Sequence, residues 1–298
     1  MPCSEAPLIV ESATPPPLRT VIWTIAALLC FAANSLLCRL ALAPKLIDPA
    51  SFTLVRVLSA AAVLTACVCL QQQRLPRLRR ADPRSVAALF GYLVFFSFAY
   101  ARLGASTGAL VLIAGVQVTM FCIALYEGEV VTWLSWLGLG LACAGLFYLL
   151  VPGVTSPDPL GAALMAVSGA AWGLFTLFAR KVADPVEANA TTLLWCALPA
   201  AVVSLVFLDD GSATPAGFGL AIASGAVATG LGCIVWYLAV RRLTVGQAAA
   251  VQLSLPAVTA LGGVGLLAEP LTMRLVIATA AMLAGIALVL TQKPRVRP

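Results

Sequence analysis

Histidine is absent from this 298-residue chain, and charged side chains make up only 10% of it. Each shortage removes a class of function. A serine or cysteine nucleophile usually needs an adjacent imidazole, and carboxylate chemistry needs a pair of acids. No imidazole exists here, and all 12 acidic residues fall in tails, loops or at the ends of apolar runs. That excludes an intramembrane hydrolase of the Ser–His or the diaspartyl kind. Cys67-x-Cys69 lacks metal-ligand spacing and has no histidine to help it, so neither a metal nor a cofactor is expected. Nor do the nine cysteines form a disulfide framework. All but Cys3 lie within or beside apolar stretches, where a free cysteine acts as small apolar filler. A secretory cleavage site is missing too: the first apolar run starts after Arg19 and ends without a small-x-small motif.

Apolar sequence is what the chain has in abundance. Hydrophobic residues are 61% of it and the mean hydropathy is +1.01, whereas an ordinary soluble domain carries about 25% charged residues. This is the composition of an integral membrane protein. Apolar runs between charges and Pro/Gly breaks predict ten spans, at about 20–41, 50–70, 84–101, 107–126, 132–150, 160–180, 190–208, 216–239, 247–267 and 272–291. Ten helices of about 20 residues use about 200 positions, leaving no room for a separate soluble domain.

The chain also repeats itself. Shifting residues 97–150 by 140 lays them on 237–290 with 12 identities in 54 positions, where roughly 4 are expected by chance. Arg102-Leu103 meets Arg242-Leu243, Val118-Thr119 meets Val258-Thr259, and Glu129 with Thr132 meets Glu269 with Thr272. A shift of 141 puts Phe31-Ala32 on Trp172-Gly173 and Arg39 on Arg180. Five spans per half reverse the direction of the second copy, so the halves are inverted repeats, as in many secondary transporters. The expected fold is all-α, with ten transmembrane helices as two inverted five-helix repeats around a central cavity. Its parts are a disordered tail (1–19), a first repeat (20–150), an outer linker (151–159), a second repeat (160–291) and a basic tail (292–298). With the N-terminus inside, 13 Lys and Arg fall in inner segments and 4 in outer ones. The positive-inside rule then places both termini in the cytoplasm.

Trp172-Gly173, Arg56 inside span two, and the run Tyr237, Ala239, Leu243, Pro256, Ala268-Glu269-Pro270-Leu271-Thr272 and Gly285 resemble the EamA-type drug/metabolite transporter superfamily. The resemblance covers about residues 20–290. It implies ten helices, a cavity between the halves, and export or exchange of small polar metabolites. The first half departs from that pattern, with Val116 where the second has Pro256 and Phe31-Ala32 where it has Trp-Gly.

Polar groups in mid-membrane need a partner or water, and three amides qualify: Asn34, Gln117 and Gln252. Each either contacts the solute or ties two helices, a tie worth about 0.6 kcal/mol. Arg56 lies close enough to the outer end of its span to snorkel; its alternatives are contact with an anion and packing through neighbouring carbonyls. Trp172 is the aromatic deep enough for a pocket wall, whereas Tyr100 and Tyr237 lie near span ends. Pro256 is read as a mid-span kink or gate. Glu129 and Glu269, just before spans, read as structural caps. The function expected is a secondary transporter for a small polar or amphipathic metabolite by alternating access, with facilitated diffusion or exchange favoured over proton coupling. A non-transporting scaffold is the alternative. The partners are a small-molecule solute and the lipid bilayer, with no nucleic acid, and a homodimer stays open. The cell (inner) membrane is the expected location.

Overall fold

A computed structural model describes residues 18–78, 81–126, 129–130, 132–150, 157–179, 182, 184–207, 213–240, 254–290 and 295–296. Its helices are α1 (Leu18–Leu42), α2 (Pro49–Gln72), α3 (Pro83–Tyr100), α4 (Ala105–Tyr126), α5 (Trp133–Leu150), α6 (Pro159–Ala179) and α7 (Pro185–Val206). Next comes α8, a continuous rod of three segments: Pro215–Ala223, a π-helical stretch Ser224–Leu231, and Gly232–Val240. Leu255–Leu267 is α9 and Met273–Leu290 is α10. Seven are long and apolar enough to cross a bilayer, and α5, α9 and α10 are shorter apolar helices. Many large apolar side chains face outward, such as Ile22, Leu29, Leu198 and Val202, as lipid-facing surfaces require. The expected N-terminal tail (1–19), outer linker (151–159) and basic C-terminal tail (292–298) lie almost wholly outside the described residues.

Asp-Pro pairs open four of these helices. Asp48, Asp82, Asp158 and Asp184 each precede a proline at the first helical position. Proline there loses no hydrogen bond, and aspartate accepts from the next free amides. Asp48 Oδ1 accepts from the amides of Ala50 and Ser51 at 3.0 and 2.8 Å, and Asp158 Oδ2 accepts from Gly161 at 2.6 Å. Asp184 Oδ1 accepts from Val186 and Glu187, both at 3.1 Å. This cap starts α7 at Pro185 rather than near 190. Its first turn holds Glu187, a charge that reads as loop in the sequence but is paired with Arg74 in the fold. Asp82 caps α3 at the membrane edge. Partial burial would raise its carboxyl, but the Ser85 hydroxyl, the Arg84 and Ser85 amides and the Arg84 charge hold it below the usual range.

The helices pack according to an inverted two-fold. α2 lies along α7 and α5 along α10, each helix against its own repeat counterpart. The other contacts come in exchanged pairs: α3 packs on α6 while α8 packs on α1, and α4 packs on α6 while α9 packs on α1. Most of the interface is therefore between repeats. Where the helices come closest, glycine makes it possible. A Cβ on Gly115 would stand 2.7 Å from the Ala166 carbonyl oxygen, and one on Gly169 would clash with the Leu112 carbonyl oxygen. Gly285 likewise meets the Gly138 carbonyl and the Ala142 backbone, joining α10 to α5.

Loop contacts sort the helix ends into two faces. On one, the Thr214 amide and hydroxyl donate to the Leu46 carbonyl, and Arg102 reaches Asp158 at 3.7 Å. On the other, Gln72 donates to Asp184 at 2.6 Å and Arg74 to Glu187 at 2.6 and 2.9 Å. Here too the two-residue strands Glu129–Val130 (β1) and Arg295–Val296 (β2) pair antiparallel. Pro256 occupies the first turn of the described α9 and is buried. Within that described helix its missing N–H falls in the first turn, where no helical hydrogen bond is lost, and residues 241–253 before it lie outside the described residues.

The packing generates a contrast between two glycines. Gly169→Ala forces a backbone displacement and should destabilise by about 1–3 kcal/mol. Gly140→Ala meets nothing within 4 Å and should leave stability unchanged or slightly higher. Denaturant midpoints of the two variants in detergent would show this order; equal midpoints would contradict the α4–α6 contact.

Candidate functional site

A polar and aromatic network crosses the middle of the bundle and joins the two repeats. Asn34, about two-thirds of the way along α1, accepts a 2.7 Å hydrogen bond at Oδ1 from the hydroxyl of Ser224, the first residue of the π-helical stretch of α8. Its Nδ2 lies 3.5 Å from the Tyr92 hydroxyl of α3 and donates to it. Tyr92 packs on Trp172 of α6 with ring centroids 4.7 Å apart, and Trp172 continues to Phe175 at 5.6 Å. On α3 the rings of Tyr92, Phe96 and Tyr100 recur every four residues and stack along one face at 5.2 and 4.7 Å. Such pairs contribute about 0.5–1.5 kcal/mol beyond area burial.

Arg56 lies beside this ladder with no exposed surface. It does not snorkel. Its Nη2 donates to the Leu93 carbonyl at 2.6 Å and to Ser97 Oγ at 3.3 Å. The guanidinium stands 5.1 Å from the Phe96 centroid and 5.7 Å from that of Phe52, contacts worth about 2 kcal/mol or more once desolvated. Nε and Nη1 have no hydrogen-bond partner among the described residues. The backbone of Arg56 is covered by Gly225 of α8, where any side chain would clash with the Arg56 carbonyl oxygen and with Ser59. A π-helical turn at this contact is notable because such turns frequently mark functional sites.

The remaining candidates fall elsewhere. Gln117 is half-buried and lines an otherwise apolar cleft of about 380 Å3 between α4, α5 and α10, away from Asn34 and Trp172. The structure thus joins Asn34 with Trp172 and leaves Gln117 apart. Gln252 lies outside the described residues. Glu129 is in β1, and its side chain is likewise outside what is described.

Glu269 caps a helix, but not the α10 that follows it in sequence. Its Oε1 accepts from the Ala105 amide at 2.7 Å and its Oε2 from Ser106 at 3.3 Å, so it caps α4 of the other repeat. The same carboxylate lies 3.7 Å from Arg39 Nε, and Arg39 Nη1 donates to the Tyr100 carbonyl at 3.2 Å. This cluster covers the Tyr100 end of the ladder. At the opposite end, a second cleft of about 260 Å3 is lined by Ser85, Phe175, Asn189, Thr192 and Tyr237 among others. Asn189 donates to the Tyr237 hydroxyl there. Phe175 belongs both to this cleft and to the Trp172 stack.

From the sequence Tyr100 and Tyr237 stand out as aromatics near span ends, but not the i, i+4 ladder that Tyr100 forms with Tyr92 and Phe96, nor the Asn189 that pairs with Tyr237. Spacing offers a signal for the ladder. Nothing local announces the pair.

Comparison with known proteins follows the same outline. Residues 18–151 and 159–291 each match the EamA-like transporter family. An uncharacterized protein of Pseudomonas aeruginosa is 46% identical over 279 residues, spanning 93% of this chain and 96% of its own. A protein of Archaeoglobus fulgidus named as an uncharacterized transporter is 26% identical over 227 residues, 73% of this chain and 81% of that one. The uncharacterized inner membrane transporter YedA of Escherichia coli K12 is 27% identical over 169 residues, 54% of each chain. A crystal structure at 19% identity superimposes with a TM-score of 0.65, covering 91% of this chain and 96% of that one. It speaks for the fold alone.

Glu269 provides the test of this geometry. Glu269→Ala leaves two α4 amides and Arg39 without their acceptor and should cost about 1–2 kcal/mol. Glu269→Gln keeps one acceptor oxygen and should cost less. Unfolding midpoints in detergent measure both, and a neutral Glu269→Ala would refute the cap across repeats.

Proposed function

This chain belongs to the EamA-like transporter family and is a multi-pass membrane transporter, and from that premise we propose that it is a secondary carrier of a small polar or amphipathic solute working by alternating access. One observation carries the proposal: Asn34 of the first repeat and Ser224 of the second hydrogen-bond to each other in mid-membrane, on the seam along which inverted repeats rock. Asn34 and the Tyr92 hydroxyl supply donors and acceptors for a solute. Trp172 and Tyr92 supply a flat apolar wall, and the π-helical turn of α8 supplies a segment able to rewind.

Opening toward the outer face separates Arg39 and the α4 N-terminus from Glu269. Entry from the inner face runs through the Asn189–Tyr237 cleft, past Phe175 to Trp172. Among the described residues, acids sit only near helix ends or in loops, which favours facilitated diffusion or exchange over proton coupling. The inner membrane is the proposed location, in keeping with the name of YedA. Both termini are proposed to be cytoplasmic, from the excess of Lys and Arg on that face. Among the described residues, no catalytic constellation speaks for an enzyme. A non-transporting scaffold, the second reading, predicts no solute flux at all.

Counterflow in proteoliposomes, run with a panel of amino acids, carboxylates, amides and amines, tests the carrier. At least one panel member should exchange, and Asn34→Leu or Trp172→Leu should slow it by about ten-fold or more, the loss of about 1.4 kcal/mol of solute contact. Absence of exchange with every member favours the scaffold. For sidedness, single cysteines at Gln73 and Lys45 in a cysteine-free background should label from the cytoplasm and from outside respectively. Labelling of both from one side would reject the ten-span topology.

A further inference from the structure

The arginines of this protein are paired in an order opposite to their need. Arg39, Arg74 and Arg102 keep contact with solvent, and each has a carboxylate: Glu269, Glu187 and Asp158. Arg56 has no exposed surface, yet among the described residues no carboxylate pairs with it. Two of its nitrogens, Nε and Nη1, meet no acceptor. An arginine keeps its charge at any physiological pH, and a buried charge without a counter-charge is strongly disfavoured. Two neutral acceptors, the Leu93 carbonyl and Ser97 Oγ, do not neutralise it.

We propose that the solute carried is an organic monoanion whose carboxylate supplies the missing partner of Arg56. This deepens the carrier reading above and rests on it. One uncompensated positive charge calls for one negative charge, which selects a monoanion over a dianion. The rings of Phe52 and Phe96 flank the guanidinium, so the carboxylate has an apolar setting and the solute an apolar body. Phe96, over whose ring the guanidinium lies, stacks on Tyr92 at 5.2 Å. Tyr92 in turn touches Asn34 and Trp172, which places the charge beside the amide and the indole that take the rest of the solute. The three paired, solvent-contacting arginines are satisfied without a ligand. Arg56 alone among these four is left for a ligand to satisfy.

The test compares acetate, butyrate and benzoate, each against its neutral amide, by thermal shift and calorimetric titration on the purified full chain in detergent. At least one carboxylate should raise the melting temperature of the wild type while its amide does not. Arg56→Gln should weaken binding of that carboxylate at least ten-fold, and Arg56→Lys should restore part of it. The wild-type comparison of acid with amide stands by itself where Arg56→Gln fails to fold. An equal response to acid and amide, no response to any of the three acids, or binding that survives Arg56→Gln would overturn the proposal. So would sodium chloride producing the same shift as the carboxylates, since the occupant would then be an inorganic counter-ion. Exchange of a neutral panel member in proteoliposomes, with no carboxylate bound, would leave the carrier standing and remove only its anionic solute.

Discussion

Inside hydrocarbon a polar group has no water to turn to, so every donor and acceptor must be matched by another part of the protein. Here the matching crosses the repeats. Asn34 finds Ser224, and the α4 N-terminus finds Glu269. The Tyr92 carbonyl accepts from Ser168 of α6 at 3.0 Å. Neither half holds a complete set of partners for its own polar groups. Each repeat therefore depends on the other to be a folded membrane domain.

That dependence also creates the functional seam. The α2–α7 and α5–α10 pairs sit on the pseudo-two-fold, each helix running alongside its repeat counterpart. The α1, α3, α6 and α8 helices each contribute a residue to the Asn34–Trp172 network. At one end of the bundle the Glu269 carboxylate of the second repeat is held by two α4 amides and Arg39 of the first.

Much of the fold was legible before the structure. The ten spans, the direction of the repeat and the class of protein all came from apolar run lengths and a shift of 140 or 141. Asp-Pro pairs at 48–49, 82–83, 158–159 and 184–185 are helix starts that a closer reading of capping would have located to the residue. The start of α7 was missed because Glu187 looked like loop, and only its pairing with Arg74 shows why a helix tolerates it there. The site was less legible. Asn34, Arg56 and Trp172 stand out as unusual residues in apolar runs, but so does Gln117, which the fold sends to a different cleft.

Hydropathy is a sum over neighbours along the chain, and so the sequence alone determined that this is a membrane protein, how many times it crosses, and that its halves run in opposite directions. Hydrogen bonds and ion pairs depend on distances between helices far apart in sequence. Asn34 and Ser224 are separated by 190 positions, and Ala105 and Glu269 by 164. Helix packing through glycine contacts decided which polar groups meet, that Glu269 caps α4 and not α10, and that Arg56 is enclosed with two nitrogens unmatched.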